Sequence, residues 1–366
     1  MEVNKVYDKI LSRSVSGNTV NYLVAPKTVH QFFSIGITFR KIPDYQRPYS
    51  WTDKNVLDLL TDIRNISDNE SASWFLGPVF TVQTTPEDQV SDLLDGQQRI
   101  TTIQIILREA SLVFLENPDI SFEGNAKLRG ELDDLVKDCI DCLIRRVSRG
   151  ENYALFETEE SVKDLFRSYI LGFNHLENST QLENLRVEFE ERAILEKLKG
   201  SKTAGRILKT IGVVKGYFKN EFYNNAKFSK LENLENFSNF VNALLWRCWI
   251  LEVPLQRHDD SIQIFESLNN RGKQLTLVDK IRYKSLIAAV SADSREKIKK
   301  EWKIVYSGLE SMEENHHIKN EDDFFKVFFN SISGADITDE NEFIEVFSKN
   351  YLKSDETILK FLEETI

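Results

Sequence analysis

The residues best equipped for chemistry lie in one stretch, Leu94-Asp95-Gly96-Gln97-Gln98-Arg99-Ile100-Thr101-Thr102, between an apolar strand-like run and a long apolar helix. A strand that ends in Asp-Gly and feeds a helix opening on two amides and a guanidinium sets those groups beside backbone N–H groups that lack helical partners. Such a helix start attracts anions. Asp95 could hold a metal ion or a water, Gln97 or Gln98 could orient that water, and Arg99 could grip a phosphate with two parallel hydrogen bonds. The same letters also suit an ordinary tight turn with Arg99 as a surface residue.

Two further stretches carry related chemistry. In Ile42-Pro43-Asp44-Tyr45-Gln46-Arg47-Pro48-Tyr49-Ser50-Trp51 the prolines hold the chain extended. Its alternating aromatic and polar side chains offer stacking faces beside a guanidinium, which suits bases or nucleotides; the alternative is that Tyr45, Tyr49 and Trp51 are core. In Leu268-Asn269-Asn270-Arg271-Gly272-Lys273, a tight turn projects Arg271 and Lys273, and Asn269 with Arg271 could form a second wall of an anion site. Thr276 and Asp279 have capping-box spacing, so Asp279 reads as a helix cap.

The elements that must position these groups follow from periodicity. Phe32 to Phe39 is β-like. A helix is expected from about Thr52, with Ser50 to Asp53 resembling a capping box and Val56, Leu59, Leu60 and Ile63 on one face. Trp74 to Val82 reads as a strand, Thr84 to Gln89 as a turn and Val90 to Leu94 as a returning strand that delivers Asp95. The helix after it is apolar nearly all round and should be buried. Residues 111–249 read as mainly helical, Trp249 to Val253 as a strand, and the rest as helical. The basic run Lys197, Lys199, Lys202, Arg206, Lys209, Lys215 and Lys219 suits either a solvated helix face or a phosphate backbone. Gly200-Ser201-Lys202-Thr203 lacks the full phosphate-loop pattern, so a P-loop enzyme is not expected.

Composition narrows the classes. The 366 residues allow two domains with sizeable cores, and 41% apolar with 29% charged residues is ordinary for a globular chain. No run reaches the roughly 20 apolar residues of a membrane span, and the first residues lack signal-peptide order, so a cytoplasmic protein is expected. Cys139 and Cys142 form a C-x-x-C inside a helical apolar run, which reads as a packed face; neither the three cysteines nor the five histidines, including His316-His317, show zinc spacing. Net charge is −11, but residues 307–366 hold 15 acidic and 5 basic residues and so carry −10, leaving −1 for residues 1–306. The body can therefore still present basic patches to nucleic acid.

The three stretches, taken in order, resemble the GmrSD N-terminal-domain group, family 262 of the domains of unknown function, also found in the SspE and BrxU phage-defence proteins. The resemblance rests on Ile42-Pro43-x-Tyr45-Gln46-Arg47-x-Tyr49-x-Trp51, Asp95-Gly96-Gln97-Gln98-Arg99-x-Thr101-Thr102 and Phe265-Glu266-x-Leu268-Asn269-x-Arg271-Gly272-x-x-Leu275. It implies an α+β fold: a ParB- and sulfiredoxin-like domain with a small mixed sheet (residues 1–110), a helical domain bringing the LNNRG turn to the cleft (111–306), and an acidic helical segment (307–366). It also implies magnesium-dependent binding and hydrolysis of a nucleoside triphosphate, coupled to restriction of foreign or modified DNA. Asp95, Gln97, Gln98 and Arg99 would then be catalytic, with Asp95 the candidate metal ligand. Tyr45, Gln46, Arg47, Gly96, Arg99, Thr101, Thr102, Asn269 and Arg271 would line the nucleotide site, and Tyr49, Trp51 and Lys273 would face DNA. Relatives often carry an HNH-type nuclease domain, and this sequence lacks its histidine and asparagine arrangement. A nuclease would lie on a C-terminal continuation or a partner protein, or be absent. The rival reading is a module that binds nucleotide or modified DNA without hydrolysis; a nuclease site recruiting Asp44, Asp53 or Asp92 to Asp95 is a third.

Overall fold

A computed structural model describes residues 25–34, 39–43, 46, 48–82, 90–116, 126–147, 151–159, 162–171, 201–223, 230–255, 276–314, 320–334 and 336–365. The chain divides into two compact units, residues 1–43 with 48–263 and residues 44–47 with 264–366. The fold is mixed α+β, with a small mixed sheet followed by a helical C-terminal region, as the sequence leads one to expect.

Among the described residues of the first unit β1 (Ala25–Thr28), β2 (Phe39–Lys41), β3 (Trp74–Val82), β4 (Val90–Asp95), β7 (Phe156–Glu157) and β8 (Cys248–Leu255) make a six-stranded sheet in the order β1-β8-β3-β4-β2-β7. β1 and β8 are antiparallel, as are β3 and β4; β3 runs parallel to β8, and β2 runs parallel to both β4 and β7. A short hairpin, β5 (Ile144–Val147) with β6 (Glu151–Ala154), stands apart from it. Helices α1 (Val29–Ser34), α2 (Asp53–Ser67), α3 (Gln97–Glu116), α4 (Ala126–Asp141), α5 (Lys163–Leu171), α6 (Lys202–Phe218) and α7 (Lys230–Asn242) supply most of the rest of its core.

The local reasons are legible in several of these elements. Val56, Leu59, Leu60 and Ile63 of α2 are all buried, as their spacing requires. Its cap sits two residues later than Ser50 to Asp53 suggests: Asn55 Oδ1 accepts from the Thr52 backbone N–H at 3.0 Å and from its hydroxyl at 2.9 Å. The run from Phe32 to Phe39 is not one strand. Phe32 and Phe33 belong to α1 and are buried, and the strand holds only Phe39 onward among the described residues. Ser201 caps α6 by accepting from the Ala204 N–H, so Ser201-Lys202-Thr203 open a helix; Gly200 lies outside the described residues. On that helix Lys209 pairs with Asp53 at 3.0 Å. Cys139 and Cys142 are buried, and burial pushes both thiols well above their ordinary value, which fits the packed-face reading.

A buried ion network ties the sheet together. Arg40 lies over the Phe32 ring at 4.0 Å and its Nη2 donates to Glu252 Oε1 at 3.1 Å, while Lys27 Nζ reaches the other oxygen. Burial works to raise the Glu252 pKa, but Arg40 and Lys27 outweigh it and hold the carboxyl below its usual 4.5. A carboxyl depressed in the fold stabilises it above its unfolded pKa and loses that contribution as pH falls through the folded value. Arg40→Leu should therefore shift acid unfolding, followed by circular dichroism, to higher pH than in the wild type.

The second unit is a cluster of helices α8 (Leu277–Ala288), α9 (Ala292–Glu314), α10 (Glu321–Ser333), α11 (Glu340–Tyr351) and α12 (Asp355–Thr365). Its core is aromatic, with Trp302 stacked on Phe325, Phe329 in contact with Phe343, Phe347 and Phe361, and Phe347 against Phe361. The expected cap is present: Thr276 Oγ1 accepts from the Asp279 N–H at 3.1 Å, and Asp279 Oδ2 accepts from the Thr276 N–H at 3.3 Å. Asp279 also accepts from the Tyr306 hydroxyl at 2.7 Å, which places it in structure rather than catalysis. No helix among the described residues is long and apolar enough to cross a membrane.

Candidate functional site

Two irregularities in the sheet shape the end of β4. The β3–β4 register pairs Phe80 with Asp95 but Thr81 with Leu93, and the β3–β8 register pairs Phe75 with Trp249 but Gly77 with Ile250. Leu94 and Leu76 are thus the extra residues of two bulges, a device that re-aims neighbouring side chains. Directly after Asp95 the chain turns at Gly96, where φ is +90° and a Cβ would stand 2.8 Å from Val79 Cγ2. Only glycine meets both demands, because L side chains resist that φ and Val79 is fully buried. Helix α3 then begins at once, its first bond running from the Ile100 N–H to the Gly96 carbonyl at 2.9 Å.

Arg99 folds back onto β3. Its Nη1 donates to the Pro78 carbonyl at 3.3 Å, and its guanidinium lies flat against Gly77, where a Cβ would meet Nη1, Nη2 and Cζ at 3.1 to 3.3 Å. Burial lowers the Arg99 pKa and the nearby Asp95 carboxylate opposes that shift. The side chain is therefore a partly desolvated cation beside a carboxylate, at the positive end of a 20-residue helix. The Gly77 cradle is a part of the site that the motif reading misses. Its signal was available, since a glycine inside a strand marks a bulge or a close approach. Gly77→Ala should cost about 1–2 kcal/mol through its φ of +106°. The new methyl should also push the guanidinium off Pro78; chemical denaturation would report the stability loss, and a crystal structure of the variant the displacement.

The remaining motif residues divide sharply. Gln98 is buried and its amide ties down the preceding loop: Oε1 accepts from the Ser50 and Trp51 N–H groups at 2.7 and 3.2 Å, and Nε2 donates to the Pro48 carbonyl at 3.2 Å. Its amide is thereby committed to structure, which removes it as a freely turning water-orienting group. Gln97 is buried at the same helix start. Tyr49, expected to face DNA, is core instead. It is 2% exposed, its hydroxyl sits 2.8 Å from Thr102 Oγ1 and 3.2 Å from Thr210 Oγ1, and no base could stack on it. Burial raises its pKa, with the two threonine hydroxyls working against that. Thr102, expected to line the nucleotide site, is fully buried and also donates to the Gln98 carbonyl at 2.8 Å. Thr101 is buried as well. Trp51 is half-buried and packs on the first unit's core.

Gln46 is buried and groups with the second unit, where its carbonyl accepts from Arg282 Nη1 at 3.5 Å. Tyr45, Arg47, Asn269, Arg271 and Lys273 lie outside the described residues, as do Asp44, the Thr84 to Gln89 turn and His316-His317. Of the carboxylates considered for a nuclease centre, Asp53 pairs with Lys209 and Asp92 with Lys41 at 3.7 Å. Among the described residues no group of three or more histidines, cysteines or carboxylates could hold a metal ion.

The structure thus brings Asp95, Gly96, Gln97, Gln98 and Arg99 together on one strand-to-helix turn, with Gly77, Pro78 and the 48–51 loop around it. No curated protein compared with the chain matches it. A family model does: the model described as the GmrSD restriction endonuclease N-terminal domain matches residues 29–286, a span that holds this turn and the whole sheet apart from β1, and the chain belongs to that family.

Proposed function

We propose that the chain is the nucleoside-triphosphate-binding and hydrolysing sensor module of a bacterial anti-phage, modification-dependent restriction system, with its nucleotide site at Asp95 to Arg99. Hydrolysis or binding there would gate engagement of DNA or of a nuclease partner. One observation carries the reading: Arg99 is held in a backbone cradle, partly stripped of water, beside Asp95 and at a helix N-terminus. That is the arrangement a phosphate oxygen completes, because it adds a charge-assisted partner to a cation whose desolvation is already met by the fold.

The residues present fit magnesium in one way. The Asp95 carboxylate beside Arg99 would serve as one protein ligand to an ion otherwise held by waters and the substrate's phosphates. When bound, the ion would neutralise charge developing on the transferred phosphoryl group. The chain's own part is positional. Arg99 grips phosphate oxygens, the first N–H groups of α3 point at the same anion, and Gln97 is the remaining amide to orient an attacking water. Gln98 keeps the 48–51 loop closed over the helix start.

The commitment of Gln98 to that loop favours a second reading, a module that binds nucleotide without hydrolysing it. The two separate in one experiment, in which affinity and phosphate release are measured for each ribonucleoside triphosphate with magnesium, with and without phage DNA. Release that saturates with nucleotide supports the enzyme. Saturable affinity with no release supports the binder, and absence of both refutes the site.

A further inference from the structure

A second feature of the first unit lies outside the strand-to-helix turn. A cavity of about 280 Å³ is lined by Phe39 of β2, Ala154 of β6, Phe156 and Glu157 of β7, and Lys163, Phe166, Arg167 and Leu171 of α5. None of these residues belongs to the motif stretches. Its walls are aromatic: Phe156 and Phe166 meet edge to face at 6.1 Å and are buried, whereas Phe39 is only half-buried. Its rim is charged. Lys163 and Arg167 stand one turn apart on α5 and both reach Glu157, at 3.2 Å and 2.7 Å. β7, at the edge of the sheet, supplies both Phe156 and Glu157.

The volume decides what such a pocket could hold. It lies just below the roughly 300–1,000 Å³ typical of small-molecule sites, enough for one ring system with a substituent but not for a whole nucleoside triphosphate. The lining decides the chemistry. A flat ring would lie against Phe39 over an apolar floor. Each Glu157 oxygen has a second lone pair, so the carboxylate can accept from a ring N–H or exocyclic amine while keeping its cations. Arg167, with 48% of its side chain exposed, retains guanidinium donors for an anion at the mouth.

We propose that this cavity is a pocket for a single nucleobase, stacked on Phe39 with its donor edge on Glu157 and the phosphate of the same nucleotide on Arg167 and Lys163. The base can arrive in two ways, extruded from a DNA duplex or as part of a free nucleotide, and the recognising chemistry is shared. The assignment stands on the cavity itself, and rests on the proposed function only for DNA as a source of the base. A module that must sense altered DNA needs a place to inspect a base, and extrusion into a ring-lined pocket is how proteins reach one inside a duplex.

The test uses the full chain and labelled DNA duplexes, one fully paired and one with a single mismatched pair, whose base is cheaper to extrude. Nucleoside monophosphates form the second arm. If the base comes from DNA, the mismatched duplex binds at least about tenfold tighter than the paired one, and Phe39→Ala removes that preference. If it comes from a free nucleotide, a monophosphate binds and Phe39→Ala weakens it by a similar factor. Arg167→Gln, on an exposed face, is the companion variant should Phe39→Ala fold poorly, and it should weaken the same arm. Absence of both the mismatch preference and monophosphate binding, or persistence of either in both variants, overturns the proposal. Phosphate release from nucleoside triphosphates, measured in parallel without DNA, separates the two claims. It should be unchanged in both variants, and its absence in a wild type that keeps the mismatch preference would count against the hydrolytic site and not against this pocket.

Discussion

Arg99→Ala is expected to lower magnesium-dependent phosphate release by about 10²- to 10³-fold, the usual loss when one preorganised donor to a developing anion is removed. The fold should barely notice. Arg99 makes one hydrogen bond to the Pro78 carbonyl, worth about 1 kcal/mol net, and its removal relieves a desolvated charge. Denaturant unfolding and phosphate release measured on the same preparation would therefore diverge. Arg99→Lys sharpens the point, because a lysine keeps the charge but loses the planar fork that lies against Gly77. It should recover binding more than turnover. Full turnover in a folded Arg99→Ala protein would remove the catalytic assignment.

The largest effect on stability is expected at Glu109, on the same helix as Arg99 but outside the motif stretches. It is 3% exposed in the middle of α3, where its Oε1 accepts from Arg108 Nη1 at 2.9 Å and from the Tyr169 hydroxyl at 2.6 Å. Arg108 Nε in turn donates to the Tyr169 carbonyl at 3.2 Å and its guanidinium lies 4.3 Å from that ring's centre. Glu109→Ala would remove the carboxylate oxygen to which Arg108 Nη1 and the Tyr169 hydroxyl both donate, inside the core. Breaking such a pair from one side costs about 3–5 kcal/mol. Glu109→Gln keeps the shape and an acceptor oxygen, so it should cost less. Thermal and denaturant unfolding measure both, and equal, small losses in the two variants would show that the network contributes little.

How much of this was legible follows from where the information sits. The hairpin of β3 and β4, the buried helix after it, the α2 face, β8 and the Thr276–Asp279 cap depend on neighbours within a few residues. Periodicity and capping chemistry find such elements. Phe32 and Phe33 misled because adjacent aromatics favour strands, yet here they are buried from a short helix, with Arg40 packed on the Phe32 ring. Tyr49 misled for a related reason. Its alternation with polar residues suits an exposed ribbon, but its fate is set by Thr102 and by Thr210, 161 positions away.

The site divides in the same way. Asp95 to Arg99 could be read directly, because a strand, a glycine and a helix start are consecutive in the chain. The Gly77 cradle could not, since it takes the β3 bulge to set that glycine under the Arg99 guanidinium. The aromatic cavity draws on β2, β6, β7 and α5, none of which announces a pocket by itself.

The most direct test of the central claim is a crystal structure of the chain with magnesium and a non-hydrolysable nucleoside triphosphate. Phosphate oxygens are expected within hydrogen-bond reach of the Arg99 guanidinium and of the first N–H groups of α3, with Asp95 facing the metal. A nucleotide bound elsewhere, with Arg99 still resting on Gly77 and Pro78 and no phosphate beside it, would rule out a nucleotide site at Asp95 to Arg99.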